Sequence, residues 1–339
     1  MPNIDRAAIN DVAIVLPDMI GTTICARPAV ETIREAFPGA RLRLYGFRQV
    51  AEFLADEVGC EELKLLEKED FDQRLRDQLA ADGSPTIVFD FLSTPRSEAA
   101  LMAGGIRYRV GWTNEELQGF GHNVHVPAPA DKAQQSVQDY LDFPEAVGVT
   151  TKLAPPSLTA SKKLQEQAKK WLGEQDIGGD DIYVLGVGGG NARKRWPMEN
   201  YHRVAEHLEG RGGRAVFFMG PNETGMAAAL REALPEAIIA ESLPLDLVKG
   251  IVSLARAAVC NDHSIMHLAA ALGVPTIGIF LASNPEEWFP YGEPSSYVVG
   301  PPLPCRPCYS EDCEHEWRCN DPDLVGRVFI KLKALGKTA

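Results

Sequence analysis

The stretch "AAVCNDHSIMHLAAALGVPTIGIF", residues 257–280, contains a short apolar run, a polar junction, and a segment of small residues that leads into a second apolar run. The two apolar runs have the length of β-strands, and residues 264–272 have helical spacing. Asp262 ends the first run, and His263 or Ser264 is in position to cap the helix. A helix amino terminus carries partial positive charge and free N–H groups. The junction therefore predicts a strand–helix–strand unit with a site for a diphosphate.

His267 lies one turn into this predicted helix, on the same face as His263 and Ser264. Asp262 has the chemistry to accept hydrogen bonds from sugar hydroxyls or to keep His267 charged. The alternatives are an ordinary buried, hydrogen-bonded histidine at 267 and a plain capping residue at 263.

A second motif, "LGVGGGNARKRWP", lies upstream at residues 185–197. A predicted strand leads into glycines that include Gly189 and Gly190, and Lys194 and Arg195 follow. Glycines let the backbone approach a ligand and present N–H groups to phosphate oxygens. Because the chain has a net charge of −13, this isolated basic patch favours a phosphate site over a solvated loop. Its spacing matches neither a Walker motif nor a dinucleotide fingerprint.

Strand-length and helix-like segments alternate on both sides of these motifs, which is typical of doubly wound parallel sheets. We predict strands at 11–16, 41–45, 62–66, 86–90, 108–112, 182–188, 214–220, 237–240, 257–262 and 276–280, and helices at 25–37, 70–81, 96–104, 131–147, 161–174, 199–210, 223–233, 244–256, 264–272 and 321–336. The stretch 148–161, rich in Pro, Thr and Ser, predicts a linker.

The linker divides the chain into two Rossmann-like α/β halves. We therefore predict domains at 1–150 and 151–320, and a C-terminal helix within 321–339 that packs back toward the first domain. Ligands of open parallel sheets bind beyond the carboxyl ends of the strands. A cleft between the halves is the expected binding site.

Composition limits the function classes. With 47 acidic against 34 basic residues, a nucleic-acid surface is disfavoured. No run approaches the ~20 apolar residues of a membrane span, which leaves only peripheral membrane contact open. The opening "MPNIDRAAIND" lacks the basic and apolar regions of a secretory signal, so we expect a cytoplasmic protein.

Four of the seven cysteines fall within one short segment, at Cys305, Cys308, Cys313 and Cys319. Four thiolates at such spacing are able to close a tetrahedral site for a structural zinc or iron ion. The alternative is four reduced thiols. A catalytic metal is disfavoured because four protein ligands leave no open position.

The segments "KRWPMENYHRVAEHL" (194–208) and "NDHSIMHLAAALGVPTIGIF" (261–280), in this order, resemble glycosyltransferase family 9, the ADP-heptose:lipopolysaccharide heptosyltransferases and their relatives. The segments at 12–42 and 305–325 are similar to the same family, so the resemblance spans nearly the whole chain. It implies a GT-B fold, with an acceptor-binding first domain and a donor-binding second domain. It also implies inverting transfer from ADP-heptose or a related nucleotide sugar, without a catalytic cofactor, to a saccharide, lipid-linked or protein acceptor.

The resemblance also implies roles for single residues. Lys194 matches the lysine that contacts the donor phosphates, and Asp262 matches the aspartate that holds the donor sugar. His267 matches the histidine that closes the family's D-[ST]-G-x-x-H element. Glu223 matches a glutamate that reaches the ribose, and Leu243 falls where the backbone lies along the adenine.

Two positions depart from the family pattern. His263 and Ser264 follow Asp262 where the family has Ser or Thr and then Gly. Thr22 stands where the family has the aspartate proposed as general base, and threonine is no base at neutral pH. Asp18, on the same loop, and Asp90, at the end of a predicted strand, are the replacement candidates, each with a loop or capping role as its alternative.

Three functional hypotheses result. The first is the glycosyltransferase. The second is a nucleotide-sugar epimerase or hydrolase of the same fold. The third is a catalytically impaired homologue that only binds a sugar nucleotide, prompted by Thr22. A Rossmann dehydrogenase is disfavoured because neither half carries the dinucleotide glycine fingerprint.

Overall fold

The computed structural model describes residues 4–81, 83–113, 121–128, 135–179, 181–292, 294–308, 313 and 315–335. The chain forms two compact units, within residues 1–156 and 157–339. The boundary lies inside the stretch 148–161 that the sequence marks as a linker. Each unit has its own sheet and its own hydrophobic core.

The first unit alternates strands and helices. Its elements are Asp11–Val15 (β1), Ile20–Ala36 (α1), Arg41–Phe47 (β2), Arg48–Val58 (α2), Glu62–Leu66 (β3), Phe71–Ala81 (α3), Ile87–Asp90 (β4), Pro95–Ala103 (α4), Tyr108–Thr113 (β5), Val124–Pro127 (β6) and Ser136–Ala146 (α5). All strand pairs are parallel, and the sheet has the order β3-β2-β1-β4-β5-β6.

The second unit repeats this plan. Its elements are Lys162–Glu174 (α6), Asp181–Gly186 (β7), Met198–Glu209 (α7), Gly213–Met219 (β8), Thr224–Ala233 (α8), Ile238–Glu241 (β9), Leu245–Ser253 (α9), Ala257–Asn261 (β10), Ser264–Ala271 (α10), Thr276–Phe280 (β11), Pro285–Trp288 (α11), Ser296–Val299 (β12) and Leu324–Leu335 (α12). Its strands are also parallel, in the order β12-β11-β10-β7-β8-β9.

The central strands are apolar because helices cover both faces of a parallel sheet. Every residue of β10 and of β11 is buried, without the alternation of a one-sided sheet. Helix α7 adds Tyr201, Val204 and Leu208 to the core that these strands build. This burial fixes the strand register, and hence the positions of the loops that follow the strands.

Both sheets have the same switch point. The first strand of each unit, β1 or β7, lies between the second strand, β2 or β8, and the fourth, β4 or β10. Loops that follow neighbouring strands at such a point diverge and leave a crevice at the carboxyl edge of the sheet. Residues 17–19 and 91–94 occupy this position in the first unit, and residues 187–191 and 262–263 occupy it in the second. The polar residues singled out in the sequence lie at these two edges.

Several elements differ from the sequence prediction. Helices α2 and α11 and the edge strands β6 and β12 were not predicted. The two edge strands have four residues each, too few to show a period. Helix α1 begins at Ile20, whereas the predicted start was 25. Its first turn contains Thr22 and Thr23, β-branched residues of low helix propensity, and both hydroxyls donate to the Met19 carbonyl, at 2.9 and 2.8 Å.

Helix α12 packs within the second unit. Its residues Leu324, Val325, Val328 and Leu332 are buried in the core of that unit, and the helix packs against α7, β10 and β12. The buried face of this helix therefore belongs to the second unit. Residue 336 of the helix predicted at 321–336 lies outside the described residues, as do 131–134 of the helix predicted at 131–147. Within the described ranges, no helix is long and apolar enough to cross a membrane.

Candidate functional site

Lys194 and Asp262 form an ion pair at the switch point of the second sheet. The Lys194 Nζ lies 2.6 Å from Asp262 Oδ2. The lysine side chain is 31% exposed and the aspartate side chain only 3% exposed, so the pair is open on the lysine side. Lys194 lies in the loop after β7 and Asp262 directly after β10, and these strands are neighbours. The parallel register thus brings together the two motifs that the sequence analysis identified separately.

His267 adds a buried imidazole to this group. Its Nε2 lies 3.9 Å from Asp262 Oδ1, and its ring meets the Trp288 ring edge to face at 6.1 Å between centroids. Burial lowers the pKa of His267 to about 4 and outweighs the raising effect of Asp262. The side chain is therefore neutral at neutral pH, and the expectation that Asp262 keeps His267 charged is wrong. Trp288 also lies 6.0 Å from the Lys194 Nζ.

The amino end of α10 lies beside Asp262. His263 is its N-cap residue, and its Nδ1 accepts a long hydrogen bond of 3.4 Å from the Ile265 N–H. Ser264 is the first helical residue, so of the two predicted caps the structure selects His263. Burial lowers the pKa of His263, which favours the neutral imidazole. The first N–H groups of a helix have no partner within the helix and favour an anion.

The glycine loop after β7 is held by Glu223. One carboxylate oxygen accepts the Gly189 N–H at 2.8 Å, and the other accepts the Gly220 N–H at 2.6 Å. A Cβ on Gly188 would lie 2.7 Å from the Glu223 carboxylate, so this close approach requires glycine. Gly190 has open space around it. Glu223 therefore connects the loops after β7 and β8.

Arg195 and Leu243 lie at the periphery of this group. The Arg195 Nε donates to the Gly189 carbonyl at 2.9 Å, so the guanidinium supports the glycine loop. Leu243 is half-buried in the turn between β9 and α9, after Ser242 at a φ of 51°. Because β9 neighbours β8, this turn also lies at the carboxyl edge of the sheet.

Asn261 and Tyr201 were missed in the sequence. The Asn261 side chain is fully buried at the end of β10, and it hydrogen-bonds to the segments on both sides of the Lys194 loop. The Tyr201 hydroxyl lies 2.9 Å from Asn261 Oδ1. The available signal for Asn261 was that a polar residue ends the apolar run "AAVCN". The charged Asp262, which follows directly, was the more obvious candidate.

The two candidate bases of the first unit have different surroundings. Asp18 is exposed in the loop between β1 and α1. The neighbouring Thr22 hydroxyl hydrogen-bonds to the Met19 carbonyl and to the buried Tyr140 hydroxyl. Burial raises the pKa of Tyr140, and the charge of Asp18 adds a smaller raising effect.

Asp90 is fully buried and fully hydrogen-bonded. Its Oδ1 accepts the N–H groups of Leu92 and Ser93, at 3.2 and 3.0 Å. Its Oδ2 accepts the Ser97 hydroxyl at 2.6 Å and lies 3.1 Å from His122 Nε2. Both side chains of the Asp90–His122 pair are 0% exposed. These contacts are those of a carboxylate that organises the loop between β4 and α4.

The four cysteines of residues 305–319 line one pocket of the second unit, together with Arg193 and His315. The Arg193 Nη1 lies 3.8 Å from Cys308 Sγ. All four are free thiols. Among the described residues, no three His, Cys, Asp or Glu side chains converge on one point as a metal ion requires. Residues 309–312 and 314 of this segment lie outside the described part, and the structural zinc or iron ion stays a prediction.

The comparisons with known proteins give one consistent result. The model of glycosyltransferase family 9 (heptosyltransferase) matches residues 88–317. Lipopolysaccharide heptosyltransferase 1 of Pseudomonas aeruginosa is 33% identical over 141 residues, which are 41% of this chain and 38% of that protein. In a further relative, lipooligosaccharide heptosyltransferase 2 of Haemophilus influenzae, the match likewise covers only 40% of its length.

Solved structures match over the whole chain. A glycosyl transferase family 9 protein from Veillonella parvula superposes with a TM-score of 0.84 at 18% identity, covering 99% of both chains. The ADP-heptose heptosyltransferase II of Escherichia coli superposes with a TM-score of 0.78 at 18% identity, covering 97% of this chain and 100% of that one. Together with the two parallel sheets, this likeness confirms the GT-B fold that the sequence resemblance implied.

Proposed function

The chain belongs to glycosyltransferase family 9, the heptosyltransferase family, and from this premise we propose that it transfers a heptose from ADP-heptose to an acceptor hydroxyl. The acceptor is a saccharide, lipid-linked or protein molecule in the biosynthesis of lipopolysaccharide or a related surface glycoconjugate. The transfer inverts the anomeric carbon and uses no catalytic metal. The observation that carries this proposal is the Lys194–Asp262 ion pair beside the amino end of α10.

The donor diphosphate is the group that this site suits best. When the sugar leaves ADP, negative charge develops on the departing phosphate, and preorganised cations and N–H donors stabilise it. Lys194 supplies the cation and the first turn of α10 supplies the N–H groups. These groups do what a metal ion does in metal-dependent transferases.

Asp262 and Glu223 serve the sugar side of the donor in this proposal. Asp262 keeps one oxygen, Oδ1, away from Lys194, so it is able to accept hydrogen bonds from sugar hydroxyls while the other oxygen holds the lysine. Each oxygen of Glu223 accepts one backbone N–H and retains capacity to accept a ribose hydroxyl. Neutral His267 closes this side of the site.

We assign the proton transfer from the acceptor to Asp18. A general base must reach the proton that it removes, and Asp18 is exposed on its loop whereas Asp90 is buried with both oxygens occupied. Thr22 takes a structural role in this proposal, because its hydroxyl already donates to the carbonyl of Met19, the N-cap residue of α1.

Thr22 also supports one alternative function, a homologue that binds a sugar nucleotide without transferring the sugar. In that case Asp18 is a plain loop carboxylate, and the donor site is intact but unproductive.

The deciding experiment measures ADP release from ADP-heptose with and without acceptor. Transfer requires ADP release that depends on an acceptor, such as a heptose-deficient lipopolysaccharide extract, and a product whose anomeric configuration is inverted in NMR spectra. ADP release or donor isomerisation without acceptor would indicate a hydrolase or epimerase. ADP binding without any turnover would indicate the binding homologue.

A further inference from the structure

The Asn261 side chain joins three segments of the second unit through a buried set of hydrogen bonds. Its Nδ2 donates to the carbonyls of Val187 and Gly188, at 2.8 and 3.0 Å. Its Oδ1 accepts the Trp196 N–H at 3.0 Å and lies 2.9 Å from the Tyr201 hydroxyl. The residue is 0% exposed. Both amide hydrogens are used, and Oδ1 accepts the Trp196 N–H and shares the Tyr201 hydroxyl with the Gly186 carbonyl, which lies 3.1 Å from that hydroxyl.

These partners lie on both sides of the loop that carries Lys194. Val187 and Gly188 lie at the start of the loop, and Trp196 follows Arg195 at its end. Asn261 itself is the residue before Asp262. One amide therefore sets the separation between the backbone that carries Lys194 and the backbone that carries Asp262.

Resting on the function proposed above, we propose that Asn261 is a positioning residue that holds Lys194 and Asp262 at the spacing the donor diphosphate requires. It touches neither the phosphate nor the sugar. It acts by fixing both ends of the Lys194 loop against the end of β10.

The hydrogen-bond pattern requires an amide rather than a carboxylate. Aspartate has nearly the same shape as asparagine but only acceptor atoms when it is ionised. At position 261, one of its oxygens would face two carbonyl oxygens in a buried site. Burial and the two facing carbonyl oxygens raise the pKa of such a carboxylate, and once protonated it donates one hydrogen bond to one of these carbonyls. The loss of ADP affinity in Asn261→Asp should therefore become smaller as the pH falls.

The apolar packing around Asn261 offers a way to distinguish a positioning role from a purely stabilising one. Trp196 and Tyr201 stack edge to face at 5.2 Å, and both belong to the apolar core with Val204 and Leu208. These are ring and apolar contacts in which the Asn261 amide takes no part. Val204→Ala is the matched control, because it removes apolar contact from the same core and leaves every hydrogen bond of Asn261 in place.

The test compares Asn261→Asp with the wild-type protein by calorimetric titration with ADP and by the donor KM, from pH 5.5 to 8.5. We expect ADP binding weaker by about 10-fold or more at pH 8, with a smaller ratio of variant to wild type at pH 5.5. Using this ratio at each pH cancels the titration of the other ionisable groups nearby, which are Lys194, Tyr201, Glu223, Cys260, Asp262 and His263. Val204→Ala is expected to lower the melting temperature and leave ADP affinity unchanged.

The outcomes separate this inference from the proposed function. Equal ADP affinity of Asn261→Asp and wild type at every pH would overturn the inference and leave the transferase assignment intact. No ADP binding and no transfer by the wild type would overturn the assignment itself. Should Asn261→Asp not fold, Tyr201→Phe removes one partner of the same amide, with Tyr183→Phe as its control. About threefold weaker ADP binding for Tyr201→Phe supports the inference, and unchanged binding contradicts it.

Discussion

Lys194 Nζ lies 2.6 Å from Asp262 Oδ2, although 68 residues separate the two in sequence. The contact exists because β7 and β10 are parallel neighbours, so the loops that follow them start from the same edge of the sheet. The predictions about the donor site follow from this pair.

Lys194→Ala removes the only member of the pair that carries positive charge. We expect kcat/KM to fall by about 100- to 1000-fold, because the leaving diphosphate loses its cation while the nearly buried Asp262 carboxylate stays and repels it. The measurement is steady-state ADP release. Lys170→Ala, which removes an exposed lysine of α6, is the control and should keep the wild-type rate.

Adding Asp262→Asn to Lys194→Ala removes that repulsion. The double variant is therefore expected to bind ADP more tightly than Lys194→Ala while kcat stays low, a coupling that a double-mutant cycle measures directly. Wild-type turnover in both single variants would contradict the assignment of this pair to the donor site.

Asp18→Asn and Asp90→Asn are expected to fail in different ways. Asp18→Asn should lower kcat by about 100- to 10 000-fold with an unchanged melting temperature, because an exposed base is lost. Asp90→Asn should lower the free energy of unfolding by about 1 to 3 kcal/mol, because it replaces a buried carboxylate that accepts the Ser93 N–H and the Ser97 hydroxyl and lies 3.1 Å from His122 Nε2. Denaturant unfolding and kinetics on both proteins check this contrast. Normal turnover by Asp18→Asn would assign the proton transfer elsewhere.

The free energy of unfolding should fall as the pH drops from about 6.5 to 4. The pKa of His267 is about 4 in the folded protein, whereas its ordinary value of 6.5 applies to the unfolded chain. Between these two values the unfolded chain takes up a proton at His267 and the folded protein does not. Neutral His267 contributes about 3 kcal/mol to the free energy of unfolding. This contribution is complete above pH 6.5 and is lost as the pH falls toward 4. Urea titrations across this range measure it. His267→Gln should flatten the slope, and an equal slope in both proteins would show that His267 is not the group responsible.

Six of the seven cysteines, all but the half-buried Cys60, should divide into two classes. Cys25 and Cys260 are buried, and burial raises the pKa of Cys260 to about 12, so both should resist Ellman's reagent until the protein unfolds. The four thiols of residues 305–319 should react in metal-free protein. A bound zinc or iron ion would protect all four together, and elemental analysis of the purified protein separates these two states. Rapid reaction of Cys260 in the native state would contradict the burial on which this division rests.

The sequence predicted the α/β class and the central strands because buried parallel strands are unbroken apolar runs. It also singled out both halves of the proposed donor site, since glycines, basic residues and an aspartate follow such runs at Gly189, Lys194 and Asp262. No local signal indicates the contact between Lys194 and Asp262. It depends on the pairing of β7 with β10, which places the loops after these strands at the same edge of the sheet.

What the sequence did not reveal depends on partners far along the chain. Asp90 reads as a strand-end carboxylate, and only the fold shows that His122, 32 residues later, fills the space beside it. Asn261 reads as the last residue of a strand, although its amide is satisfied by groups 60 to 74 residues earlier. Local pattern carries no information about such partners.

The two sheets share one strand order, yet each packs its own core, one built within residues 13–106 and the other within 185–332. A substitution inside one of these cores therefore acts first on the packing of its own unit. Under the roles proposed for Asp18 in the first unit and for Lys194 and Asp262 in the second, a chimera that takes residues 1–156 from a relative and keeps 157–339 is expected to change the acceptor preference and to keep the nucleotide requirement.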